Sequence, residues 1–323
     1  MTDQTLAGYA NYSLVSAMVV LTLAMLGYAV YLARLVPARA AAGERAVVAE
    51  PAMAGGVPAP SDAAGSEPPT PQARSRSGAK AAGIAGSLTW LAGFLLIASV
   101  ALRGASVHRW PLGNMFEFAV FASMLVIMAF SAWSTRRDVR WLGLFVVTPV
   151  LLVLGLALTV WYTEASELMP SLRSYWLVIH VTVATLSVAL FTLGAAVSAL
   201  YLWQERVEAG GRRSFMNSLP PAAALERLGY GLHIIAFPLW SFTLIAGAIW
   251  ARQAWGSYWN WDPKEVWTFV IWVVYAAYLH ARATSGWSRR SASLIALAGY
   301  GCVLVNYGVV NVFFVGQHSY SGL

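Results

Sequence analysis

The residues able to hold a metal or a reactive ligand are few. The chain has five histidines and a single cysteine, Cys302, which lies in an apolar stretch. One cysteine excludes an internal disulfide, a CxxC redox pair, a thiolate zinc cluster and a CxxCH haem-attachment site of the chain's own. The imidazoles are therefore the candidate ligands, and an ionisable residue inside a membrane segment is a functional candidate by default. His180 follows Ser174-Tyr175-Trp176 just inside an apolar run, and His318 lies in Gly316-Gln317-His318-Ser319-Tyr320, just past the last run. Two neutral imidazoles about 4 Å apart can ligate one iron from either side, each through a ring nitrogen. Taken singly, each also reads as a satisfied polar residue at a helix end. His233 and His280 lie near the far ends of their runs and suggest a second, inner site. For His233 the ligand and the satisfied helix residue are equally good readings. His108, before Arg109-Trp110-Pro111, reads as a surface residue.

A third feature decides between the readings of His180 and His318. Six of the 15 tryptophans, from Trp250 to Trp272, fall within 23 residues, and the centre runs Trp255-Gly-Ser-Tyr258-Trp259-Asn-Trp261-Asp-Pro-Lys-Glu-Val-Trp267. An interfacial aromatic belt explains two or three indoles on any membrane protein. Three indoles and a tyrosine in a seven-residue window suggest instead a shelf for a large planar ligand, because aromatic faces give contact area with little side-chain entropy to lose. Haem fits both the shelf and the imidazoles. Asp262-Pro263-Lys264-Glu265 reads as a helix start, with Asp262 as N-cap, Pro263 in the first turn and Glu265 completing a capping box. Such a cap needs no catalytic role, and it pins the shelf to the end of the next helix.

These side chains must be positioned by membrane helices. The chain is 323 residues long, 59% hydrophobic and only 11% charged, where a soluble domain carries about 25% charge. Apolar runs at about 12–35, 84–102, 116–133, 142–161, 176–203, 228–251, 266–281 and 292–315 each approach the length that crosses about 30 Å of hydrocarbon. The expected fold is an all-α polytopic membrane protein of about eight transmembrane helices. Little chain is left over for a separate catalytic domain. The expected organisation is an N-terminal transmembrane helix at 1–36, a disordered cytoplasmic linker at 37–83, and a seven-helix core at 84–323 with an external loop at 252–267. The linker has no Leu, Ile, Phe, Trp or Tyr and cannot bury enough apolar area to order itself. The first apolar run lacks the basic flank and cleavage site of a secretory signal and is expected to be retained.

The net charge of +7 reads as the cytoplasmic excess of Lys and Arg in membrane loops rather than as a nucleic-acid surface. With the N-terminus outside, sixteen cations fall on the inner side and five on the outer. Both termini, His180, His318 and the tryptophan loop are thereby expected on the extracytoplasmic face.

The stretch Trp255 to Trp267 resembles the WWD signature of haem-handling membrane proteins, and the surrounding pattern resembles the CcsA/ResC branch, the system II cytochrome c synthase subunit. The resemblance covers about 84–323. It implies haem b, as substrate and as axially ligated intermediate, held externally by His180 and His318. In the family a transmembrane histidine shortly after the signature serves an inner haem, and His280 matches it in order and separation. The resemblance also implies contact of the cofactor with Trp255, Tyr258, Trp259, Trp261, Asp262 and Trp267. Asn114-Met-Phe-Glu117 resembles a second family motif, with Phe where Tyr is usual. Nothing in the chain resembles the CcsB/ResB part that supplies the other inner ligand. A separate CcsB/ResB-like subunit, or His233, is therefore expected to supply it.

The activity implied is haem delivery and thioether formation with the CxxCH cysteines of apocytochrome c, a haem lyase reaction dependent on a thioredoxin-like thiol reductant. The Ala- and Arg-rich linker points to the cytoplasmic membrane of a bacterium over a thylakoid membrane. Two other functions fit the same residues: a haem exporter without ligase activity, and a membrane di-haem electron-transfer protein.

Overall fold

The computed structural model describes residues 3–48, 71–166, 174–211 and 214–318. Its long helices are α1 (Gln4–Val48), α2 (Pro71–Val107), α3 (Met115–Arg136), α4 (Gly143–Thr159), α5 (Tyr175–Gly210), α6 (Ala222–Trp255), α7 (Pro263–Ala283) and α8 (Arg289–Leu304). A turn of π-helix, Val305–Val310, and a last short turn, Asn311–Phe313, continue α8. Eight helices among the described residues are long and apolar enough to cross a bilayer, in agreement with the apolar runs. The ends of α1 and α2 reach into 37–83, where runs of alanine extend a helix already nucleated without needing an apolar partner. Residues 49–70 of the expected linker lie outside the described residues.

The helix ends follow local chemistry. Asn114 caps α3 by accepting from Glu117 N at 2.9 Å, and Ser174 caps α5 by accepting from Trp176 N at 3.2 Å. The α5 and α6 helices close on Gly211 and Gly256, at φ 58° and 83°, in the left-handed region where glycine alone is unstrained.

Consecutive spans pack as antiparallel neighbours: α1 along α2, α5 along α6 and α7 along α8, with α3 bridging α2, α4 and α5. Two apolar cores result. One joins α1 to α4, through residues such as Leu21, Tyr28, Phe130 and Leu154, to part of α5 and α6. The other joins α5 to α8 around Phe191, Trp240 and Tyr275. The start of α5, the end of α6, the start of α7 and the tail after α8 meet at one end of the bundle, and the site lies there.

Candidate functional site

The tryptophan loop is held at both ends. Where α6 stops, the Arg252 guanidinium donates to Gly256 O. Where α7 starts, the expected capping box is present: Asp262 Oδ1 accepts from Lys264 N at 3.0 Å, while Glu265 Oε2 accepts from Asp262 N at 3.2 Å and from Asn260 N at 2.8 Å. Asp262 also does something that a cap does not require. Its Oδ1 accepts from His318 Nδ1 at 3.0 Å and its Oδ2 from Gln317 N at 2.6 Å, so one carboxylate starts α7 and grips the tail that follows α8. A Cβ at Gly316 would collide with this carboxylate, so glycine lets the tail approach. Burial pushes the Asp262 pKa up. The hydrogen bond and charge of His318, with the Lys264 and Gln317 backbone N–H groups, outweigh burial and hold the carboxyl below its usual range.

His180 is set by α6. Its Nδ1 lies 3.0 Å from Thr243 O. A carbonyl only accepts, so Nδ1 carries the proton and Nε2 the lone pair. The carboxylate of Asp262 imposes the same tautomer on His318, the carboxylate–histidine pairing typical of metal-binding imidazoles. A Cβ at Gly247 would come within 2.8 Å of the His180 ring, so a glycine on α6 makes room for this imidazole. Trp250 touches both histidines: it stacks on His180 at 5.9 Å and meets His318 edge-on at 5.6 Å. Trp255 lies 4.7 Å from His318 and from Trp250.

Both imidazoles line a cavity of about 280 Å³, with Trp250, Tyr258, Trp259 and Lys264 also in its wall. The cavity follows α5 from His180 to Thr192, a rise of about 18 Å at 1.5 Å per residue. Its surface is mostly apolar. It offers two imidazoles with Nε2 lone pairs in a largely apolar lining, the donor set expected for haem.

Of the expected residues, His180, His318, Tyr258 and Trp259 line this cavity, and Trp255 and Asp262 lie against His318. Trp261 forms an outer rim. It is 77% exposed, 5.8 Å from Trp259, and sits at φ 58°, a left-handed conformation that costs a non-glycine residue about 1–3 kcal/mol and clusters at ligand clamps. Trp267 is half-buried in the second turn of α7 and is not part of the cavity wall. His233 and His280 are not brought together. His233 is fully buried, donates from Nδ1 to Gly229 O at 2.7 Å and is ringed by Phe191, Tyr275 and Tyr278, with its Nε2 unpartnered. His280 is exposed on another face of α7.

Sequence reasoning left Asn114–Glu117 without a role, and the structure supplies one. Glu117 has no exposed side-chain surface. It accepts from Arg103 Nε at 2.9 Å, from Arg109 at 2.9 and 3.0 Å and from Gly113 N at 2.7 Å. Arg103 and Arg109 also donate to Thr163 O and Ser166 O at 2.6 and 2.9 Å. This brace fastens the α2–α3 and α4–α5 loops together, and Gly113, Asn114 and Met115 form part of the cavity wall. The legible signal was three charges within 15 residues of a charge-poor chain.

An eight-span bundle with a histidine pair and an aromatic loop at one end matches a described family. The cytochrome C assembly protein family matches residues 110–318. The chain is 34% identical over 277 residues to cytochrome c biogenesis protein CcsA of Prochlorococcus marinus (strain MIT 9313), covering 76% of this chain and 86% of that protein. It is 32% identical over 252 residues to the protein of the same name from Mesostigma viride, covering 70% and 82%. The chain therefore belongs to the cytochrome c assembly family, on its CcsA-type branch.

Proposed function

We propose that this protein carries haem b across the membrane and holds it at the tryptophan-loop end for covalent attachment to the CxxCH cysteines of an apocytochrome c, as the synthase subunit of a system II pathway. The observation that carries the reading is the pair His180 and His318. They come from separate elements, both are fixed as Nδ1–H tautomers by Thr243 O and Asp262, and both face one cavity beside Trp250 and Trp255. Family membership supports it independently.

Each thiol adds across one haem vinyl group. Sulfur bonds to the vinyl carbon next to the ring, and the thiol hydrogen goes to the terminal carbon. No electrons are gained or lost overall, so the cysteines must arrive reduced, the task of a thioredoxin-like reductant. The chain's own contribution is orientation. Holding vinyl and thiol in near-attack geometry can lower a barrier by about 7–11 kcal/mol. His180 and His318 would hold the haem through their Nε2 lone pairs during attachment, and the histidine of CxxCH would compete with one of them and so let the product leave.

His280, exposed on α7, suits an inner ligand whose second imidazole comes from a CcsB/ResB-like subunit. The sixteen-to-five distribution of cations supports a site on the extracytoplasmic face, and the linker composition favours a bacterial cytoplasmic membrane. The test is coexpression with that subunit and a CxxCH reporter in a host lacking its own cytochrome c pathway. Covalent haem on the reporter is expected; extracytoplasmic free haem alone would make the protein an exporter.

Two substitutions probe the geometry. Asp262→Asn preserves a good helix cap but removes the charge from His318, and haem affinity is expected to fall about 10–100-fold, read by titration of the Soret band. Gly247→Ala presses a methyl group on the His180 ring. Overpacking costs about 1–3 kcal/mol, so haem affinity is expected to drop by about fivefold or more, with the helical content unchanged by circular dichroism.

A further inference from the structure

The cavity wall contains a polar cluster on α7 and on the turns that follow α8. Lys264 Nζ donates to Asn306 O at 3.0 Å and to Asn311 Oδ1 at 2.8 Å. Asn306 lies in the π-helical turn Val305–Val310, a wider turn than the α-helix around it and a feature common at functional sites. Its side chain is oriented by a chain of donors. Thr268 Oγ1 gives its single hydrogen to Lys264 O at 2.7 Å, so it can only accept from Asn306 Nδ2, at 3.4 Å. That leaves Asn306 Oδ1, on a residue 4% exposed, buried with no partner among the described residues. Lys264, Thr268, Asn306 and Asn311 all line the cavity.

The electrostatics of this cluster are incomplete. Lys264 forms no ion pair within 4 Å among the described residues: the oxygens of Asp262 accept from His318 and from the Lys264 and Gln317 N–H groups, Glu265 Oε2 accepts from Asp262 N and Asn260 N, and Glu265 Oε1 is buried with no partner among the described residues. A charge inside an apolar cavity is ordinarily paired. Two of the three ammonium protons have neutral acceptors, and the third is left for a ligand. A carboxylate that accepts that proton completes the charge, and a water donating to both the carboxylate and Asn306 Oδ1 satisfies the amide oxygen.

We propose that Lys264, Asn306 and Asn311 form a carboxylate subsite that receives one propionate of the bound tetrapyrrole and thereby sets which edge of the ring faces out. The assignment rests on the haem reading above, and its test separates the two. The full chain, purified with its partner subunit in detergent, is titrated with haem and with haem dimethyl ester, in which both carboxylates are blocked. Wild type is expected to prefer haem by about tenfold or more, the scale of a charge-assisted hydrogen bond. Lys264→Met, which keeps the apolar stem, is expected to bind haem only as well as the ester while retaining a low-spin six-coordinate spectrum. Lys264→Arg is expected to keep part of the preference. Asn311→Ala retains the charge but loses its tether, and is expected to reduce the preference several-fold, which serves if the Met variant does not fold. Equal binding of haem and ester by wild type, or an undiminished preference in the Met or Ala variant, would overturn the subsite and leave a water-filled cluster. Failure of wild type to bind either compound would overturn the haem reading itself.

Discussion

His180→Ala protein, expressed in haem-replete cells with its partner, is expected to lose the low-spin absorbance of bis-imidazole haem and at least 99% of covalent transfer to a CxxCH reporter, a loss of about a hundredfold or more. The ring occupies a place made for it: Thr243 O holds one nitrogen and Gly247 leaves space for the other atoms. No neighbouring side chain on α6 can substitute, because the nearest ring, Trp250, has no lone pair to offer a metal. Added imidazole should enter the vacated space and restore the six-coordinate spectrum. A purified variant that keeps both the wild-type spectrum and reporter labelling would remove His180 from the site.

The second large effect is expected at a side chain that does not itself line the cavity. Glu117→Ala leaves the guanidinium groups of Arg103 and Arg109 buried without their shared carboxylate. Breaking a buried pair in this way costs about 3–5 kcal/mol, against a total stability of about 5–15 kcal/mol for a typical domain. The variant is expected to accumulate poorly and to melt well below wild type, as followed by fluorescence-detected size exclusion after heating. Glu117→Gln keeps part of the hydrogen bonding and should fall between the two. If the Gln variant melts with wild type, the charge of this brace does not matter to the fold.

Much of the fold was legible because a bilayer simplifies the problem. Backbone groups in hydrocarbon must be satisfied within the segment, so each apolar run had one available structure, and all eight became helices. The Asp262 cap was legible for the same local reason. What could not be read was which helix faces which. Nothing in the spacing of His180 and Thr243 says that α6 would supply the acceptor for a ring on α5, and Gly247 looks like any small residue until that ring lies against it. Trp250 was one of six tryptophans with no mark to distinguish it, yet it touches both imidazoles. The two readings of Asp262, cap or site residue, proved compatible: its two oxygens serve the α7 backbone and His318 together.

That sharing couples movements that would otherwise be independent. His318 and Gln317 cannot swing away from the mouth of the cavity without withdrawing partners from the carboxylate that anchors the first turn of α7. The same helix carries His280 and Arg282 in its last turn. Displacing the tail is therefore expected to disturb the first turn of the helix whose last turn carries His280.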